Sequence, residues 1–133
     1  MKFTKTFILV SINIFLFSWI VNNAHATIIN VPGNQPTIQS GINAAANGDT
    51  ILVAPNTYFE NINFLGKQIV VASYFILNHD LSFINSTIIN GSTPVNPDTA
   101  SCVVFYSGED SSAVLQGFTI TGGTGTKWID GLS

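Results

Sequence analysis

The chain has 133 residues, enough for one domain, and its composition is unusual: 46% hydrophobic, 8% charged, formal net charge −3. A typical soluble domain carries about 25% charged residues, so either part of the chain belongs to a membrane or its solubility rests on Asn, Ser, Thr and Gly. With four lysines and no arginine, it lacks the cations that neutralise phosphates, which argues against nucleic acid and anionic lipid surfaces as partners.

The N-terminus carries Lys2 and Lys5, then a mostly apolar run over residues 7–21, then Ala24-His25-Ala26. A positive start, an apolar stretch and a small-x-small site in that order predict a secretory signal peptide. A membrane span needs about 20 apolar residues; this run is shorter and is interrupted by Ser11, Asn13 and Ser18. Cleavage after Ala26 would make Thr27 the first mature residue and leave no stable membrane span. Residues 27–133 then hold two lysines against seven carboxylates, a net charge of −5. Cys102 is the only cysteine, so no intrachain disulfide can form. It reads as a small buried hydrophobe.

After a short strand at residues 28–31 and a turn at 32–34, residues 36–47 read as a helix. Pro36 suits its first turn and Gly48 the position past its end. Ile38, Ile42 and Ala45 form one apolar stripe; Gly41 weakens the helix and marks close packing. From Asp49 onwards the segments are short, β-branched and punctuated by Asn, Gly, Ser and Pro. Residues 50–53, 61–64, 68–72, 86–89, 103–106, 113–116 and 118–121 read as strands. Residues 55–58, 66–67 and 107–110 read as turns, and 78–82 and 92–99 as loops.

Many short strands fit an antiparallel sandwich or a β-solenoid. Ile51-Leu52-Val53, Ile69-Val70-Val71 and Thr87-Ile88-Ile89 begin 18 residues apart, a shift that would stack coil on coil about 4.8 Å apart. The six-residue apolar beat of a left-handed hexapeptide helix is not kept. An amphipathic helix before the first coil suits a solenoid end, which otherwise exposes apolar side chains and unpaired strand edges.

Several stretches carry a family resemblance: Ile29-Asn30-Val31-Pro32, Pro36-Thr37-Ile38-Gln39, Gly48-Asp49-Thr50-Ile51-Leu52-Val53, Pro55-Asn56-Thr57-Tyr58, Glu60-Asn61-Ile62, Gly66-Lys67, and later residues 114–123. Together they resemble the opening of secreted bacterial parallel β-helix repeat proteins of the pectin-lyase-like superfamily. The resemblance implies an all-β fold, a right-handed parallel β-helix (solenoid) with an N-terminal capping α-helix, preceded by a signal peptide. Residues 1–26 would be the signal peptide and residues 27–133 the cap and first coils of a truncated array. Asn56 stands where the family usually has Gly, which predicts a positive φ there.

The superfamily holds lyases, hydrolases, esterases, adhesins and surface proteins, so fold alone does not give activity. Its lyases imply an Arg or Lys base and an acidic calcium cluster; here arginine is absent, and Lys67 and Lys127 sit in turns, where the expectation for Lys67 is a solvated residue. Calcium remains an expectation for full-length relatives only. Glycosidases need carboxylates at a defined separation, and Glu109-Asp110 is the only adjacent acidic pair. Tyr58-Phe59-Glu60 is similar to a step in pectinesterases, but the implied catalytic positions of those enzymes lie in later coils. Asp49 is expected to bind turn amides, and His79-Asp80 has no partners at metal-ligand spacing. No catalytic, cofactor-binding or metal residue is assigned. Tyr58, Phe59, Tyr74, Phe75, Tyr106 and Trp128 are the aromatics able to stack on sugar rings, with Tyr58, Tyr74 and Trp128 the named candidates; core packing is the competing use of such rings. The expected function is a secreted or cell-surface β-helix contacting polysaccharide or cell-surface glycan without catalysis. The alternative is the N-terminal part of a polysaccharide-active enzyme of pectate lyase, polygalacturonase or pectinesterase type.

Overall fold

In the computed structural model, which describes residues 25–127, short strands and three short helices alternate along the chain. The predicted signal peptide up to Ala24 lies outside the described residues, as does Trp128. The elements are β1 (Ile28–Val31), α1 (Ile38–Ala44), β2 (Thr50–Val53), β3 (Asn56–Tyr58), β4 (Ile62–Asn63), β5 (Val70–Ser73), α2 (Phe75–Asn78), α3 (Ser82–Ser86), β6 (Thr87–Asn90), β7 (Thr99–Ala100), β8 (Val103–Val104), β9 (Val114–Gln116), β10 (Thr119–Thr121) and β11 (Gly125–Thr126).

The fold is β-rich and most of its pairing is parallel. One sheet has the order β1-β2-β5-β9, a second β10-β6-β3, and a third pairs β4 with β8. Among the described residues only β7 and β11 run antiparallel. Inward residues alternate along the strands: Ile51 and Val53 on β2, Val71 and Ser73 on β5, and Thr87 and Ile89 on β6 are buried. Ile51, Val53, Val71 and Ile89 meet Ile62 and Phe64 in one core cluster drawn from all three sheets.

The 18-residue register does not hold. Ile51 pairs with Val71, an advance of 20 residues, and β6 pairs with β3 instead of continuing the first sheet. In the second sheet the advance is 31 residues twice over, from Thr57 to Ile88 and from Ile88 to Thr119. The extra length leaves the sheets at two places: α2 and α3 after β5, and the segment between β6 and β7. Residues 78–82, expected as a loop, are the junction of these two helices, with His79 in the left-handed conformation (φ 60°). Asn56 opens β3 rather than lying in a turn, and its φ is not positive.

Helix α1 is shorter than residues 36–47, and side chains from two other places, Glu60 and Lys67, bind its ends. Thr37 is extended (φ −133°), and it forms a reciprocal capping box with Ser40. The Glu60 carboxylate accepts from the Ile38 and Gln39 amides, both at 2.9 Å. At the far end Lys67 Nζ donates to the carbonyls of Ile42, Asn43 and Ala45 at 2.7, 2.8 and 2.7 Å. Lys67 is therefore a helix anchor and not a solvated turn residue. Both charges match the helix dipole. Ile38, Ile42 and Ala45 are buried as the stripe predicts. A Cβ on Gly41 would stand 3.1 Å from Ile51 Cγ2 and 3.3 Å from Val31 Cγ2, so the helix lies directly on β1 and β2. The Gln39 side-chain amide pairs with the Asn63 backbone, accepting from its N–H and donating to its carbonyl. A side chain thus completes hydrogen bonding at the free edge of β4.

Candidate functional site

The outward side of β4 and β8 carries the most site-like surface among the described residues. Along Asn61-Ile62-Asn63-Phe64 the apolar residues turn inward, since Ile62 and Phe64 are fully buried. The period of two therefore sends Asn61 and Asn63 outward together. The register of Ile62 with Val103 and Asn63 with Val104 brings the 99–106 segment alongside. The result is a depression of about 320 Å³ lined by Asn61, Asn63, Thr99, Ser101 and Tyr106, with Lys127 at its margin. A second depression, about 330 Å³, adjoins it and shares Asn61 and Thr99; Phe59, Glu60 and Val95 are among its walls.

Two aromatic rings flank this surface. Phe59 is 60% exposed and Tyr106 is 58% exposed. The two asparagines are held in opposite senses. Asn61 Nδ2 donates to the carbonyls of Gly91 and Ser101 at 3.2 and 3.0 Å, leaving its side-chain oxygen as an acceptor. Asn63 Oδ1 accepts from the Leu65 amide at 2.8 Å, leaving its NH₂ as a donor. Thr99 and Ser101 are already engaged, with Asn96 O and Thr126 Oγ1 respectively.

Charge at the site is sparse and occupied. Glu60 holds the start of α1. Lys127 Nζ pairs with Asp98 at 2.9 Å, and Lys67 is held by α1.

The remaining residues singled out by sequence fall elsewhere. Tyr58 is only 7% exposed and its hydroxyl donates to Ala54 O at 2.9 Å, so its ring is core and not a stacking surface. Tyr74 is half-buried, edge-on to Phe83 at 5.7 Å, at the corner before α2. Ala26 is exposed, and Thr27 donates from its N and Oγ1 to Asp49 Oδ1 at 2.8 and 2.9 Å. Asp49 also takes the Ala46 amide at 2.7 Å. The Thr27 and Ala46 amides hold its carboxyl below the usual 3.8, against the opposing effect of burial. Its expected role as a receiver of turn amides is what the geometry displays.

Glu109 and Asp110 do not face a common point. Glu109 accepts from the Gly66 and Ser107 amides, and Asp110 from Ser112. For Glu109, desolvation pushes the carboxyl up but the amides of Gly66, Glu109 and Ser107 together hold it below its ordinary value. Cys102 is buried and its thiol donates to Thr121 O. Among the described residues no three His, Cys, Asp or Glu side chains gather as a metal site, and no helix is long and apolar enough to cross a membrane. The Asn61/Asn63 pair was readable from alternation; its neighbours Thr99 and Tyr106 needed the β4–β8 strand register. No family model, curated protein or solved structure matches the chain.

Proposed function

We propose that the chain is an exported surface module: the capped N-terminal end of a right-handed parallel β-helix, related to the pectin-lyase-like superfamily, that contacts glycan without catalysis. Three parallel sheets around one core support the solenoid reading. Crossovers between parallel strands of one sheet are right-handed in about 98% of cases, which supports the hand. Helix α1, clamped by Glu60 and Lys67 over the first strands, has the properties of a solenoid cap. Export rests on Lys2, Lys5, the apolar run and Ala24-His25-Ala26.

The observation that carries the functional reading is the pair of exposed rings, Phe59 and Tyr106, one in each of two adjoining depressions that share Asn61 and Thr99. Sugars offer a hydroxylated rim and apolar C–H faces, and such a surface meets both: rings for the faces, amides and hydroxyls for the rim. The test is affinity electrophoresis of the purified chain through gels holding a panel of neutral and acidic polysaccharides, with product release measured in parallel. Retardation by at least one polysaccharide without turnover is expected. Migration unchanged in every gel overturns glycan contact, and turnover would assign the chain to the polysaccharide-active enzymes.

A further inference from the structure

We infer that the glycan held on the β4–β8 face is a neutral one, read by Asn61 and Asn63 as a fixed acceptor–donor pair between Phe59 and Tyr106. This rests on the glycan-contact reading above and narrows it to a ligand class.

The amide orientations are set by the protein and not by the ligand. Two backbone carbonyls face Asn61 Nδ2, so its oxygen must point the other way. A backbone N–H faces Asn63 Oδ1, so its NH₂ must point away from the turn. Asn and Gln amides carry both an acceptor and donors; here the backbone takes one end of each, leaving Asn61 its acceptor and Asn63 its donors. Two residues apart on one side of a strand, the groups stand about 7 Å apart. An acceptor and a donor at that spacing suit hydroxyls, which give and take hydrogen bonds. A carboxylate, which only accepts, would meet the Asn61 oxygen unfavourably.

The cations point the same way. Among the described residues the lysines are Lys67 and Lys127. One is held by three carbonyls of α1 and the other by Asp98. Arginine is absent from the chain, and Glu60 borders the second depression. A polyuronate would lose hydration of its carboxylates with only Lys127, already paired with Asp98, as a charged donor in return, against a negatively charged protein.

The rings bound the length. Phe59 lies three residues before Ile62, and Tyr106 three residues after Val103, its partner. Six residue steps place them at most about 20 Å apart, which leaves room for a chain of several sugar rings between them.

The test is calorimetric titration of the purified chain with neutral hexasaccharides (cellohexaose, xylohexaose and mannohexaose) and with hexagalacturonate, at low and at 0.5 M salt. Binding of a neutral hexamer, insensitive to salt and at least tenfold tighter than hexagalacturonate, is expected. Asn63→Asp keeps an oxygen for the Leu65 amide but turns the outward donor into an acceptor; it should weaken neutral binding at least tenfold. Phe59→Ala, at a ring outside the core, should do the same, with circular dichroism reporting that each variant is folded. Tighter, salt-sensitive binding of hexagalacturonate overturns this inference while leaving glycan contact standing. So does neutral binding indifferent to Asn63→Asp and Phe59→Ala. Binding of no glycan overturns both.

Discussion

Removing the Lys67 ammonium tests whether α1 is held by charge or only by its apolar stripe. Lys67→Met keeps most of the aliphatic stem and deletes three donors, each within 2.8 Å of a carbonyl at the end of α1. A hydrogen bond to a charged group contributes about 1.5–3 kcal/mol. Three bonds from one ammonium are not additive, and the Asn43 carbonyl belongs to an exposed residue that water can serve. The Ile42 and Ala45 carbonyls belong to buried residues and are harder to resolvate. Adding the helix-dipole term, which is below about 1 kcal/mol, gives an expected loss of about 3 kcal/mol. With a urea slope of about 1–3 kcal/mol per molar, the unfolding midpoint should fall by about 1–3 M. Lys127→Met is the control, because its partner is Asp98 and the two side chains are 78% and 60% exposed. Such surface pairs contribute about 0–1 kcal/mol. Equal midpoint shifts for the two variants would refute the clamp.

Four further outcomes follow from single contacts. Asp49 has a folded pKa below its ordinary value, so its contribution should be complete above that value and disappear as pH falls through the folded one; urea titrations from pH 6 to pH 2 should show a loss that Asp49→Asn abolishes. In a chain that begins at Thr27, the amine that meets Asp49 Oδ1 is an ammonium, and N-acetylation should lower stability by about 1–3 kcal/mol by thermal melting. The Thr87 hydroxyl is buried and has no hydrogen-bond partner, so Thr87→Val should raise stability by about 1 kcal/mol in the same assay. A Cβ at Gly91 would stand 2.6 Å from Cys102 Sγ and 2.8 Å from Asn61 Nδ2; Gly91→Ala should destabilise by about 1–3 kcal/mol and weaken glycan binding through Asn61.

Local features were legible in the sequence because they depend on near neighbours. The Ile38, Ile42 and Ala45 stripe needs only the helical period. The strands need only β-branched runs between Asn and Gly, and Asp49 only its place beside a turn. Pairing was not legible. Short runs of Ile and Val are interchangeable as partners, so the 18-residue spacing looked like a register when the neighbour of Ile51 was Val71, 20 residues on. The turn expected at residues 55–58 is instead strand β3, and this decides the Tyr58 ring in favour of core packing over sugar stacking. Burial of the ring follows from β3 lying in the second sheet, whereas a turn at residues 55–58 would have left it outside. Lys67 could not be recognised as an anchor without knowing that the end of α1 lies over its turn.

The same arithmetic explains where the candidate site lies. Val71 to Leu115 in the first sheet spans 44 residues, and Ile62 to Val103 in the third spans 41, against 20 from Ile51 to Val71. Extra chain inside a strand would shift every side chain to the other face, so it can leave only at corners. It does so at α2–α3 and between β6 and β7. The second departure passes directly beside Asn61: Thr93, Val95 and Asn96 form a wall of the depression that Phe59 closes. An exposed corner segment can change length at small entropic cost, while Asn61 and Asn63 stay fixed by the strand beneath them. The division of labour follows from this: the β4–β8 register sets which groups a ligand meets, and the 91–98 segment sets how deep the cleft around them is.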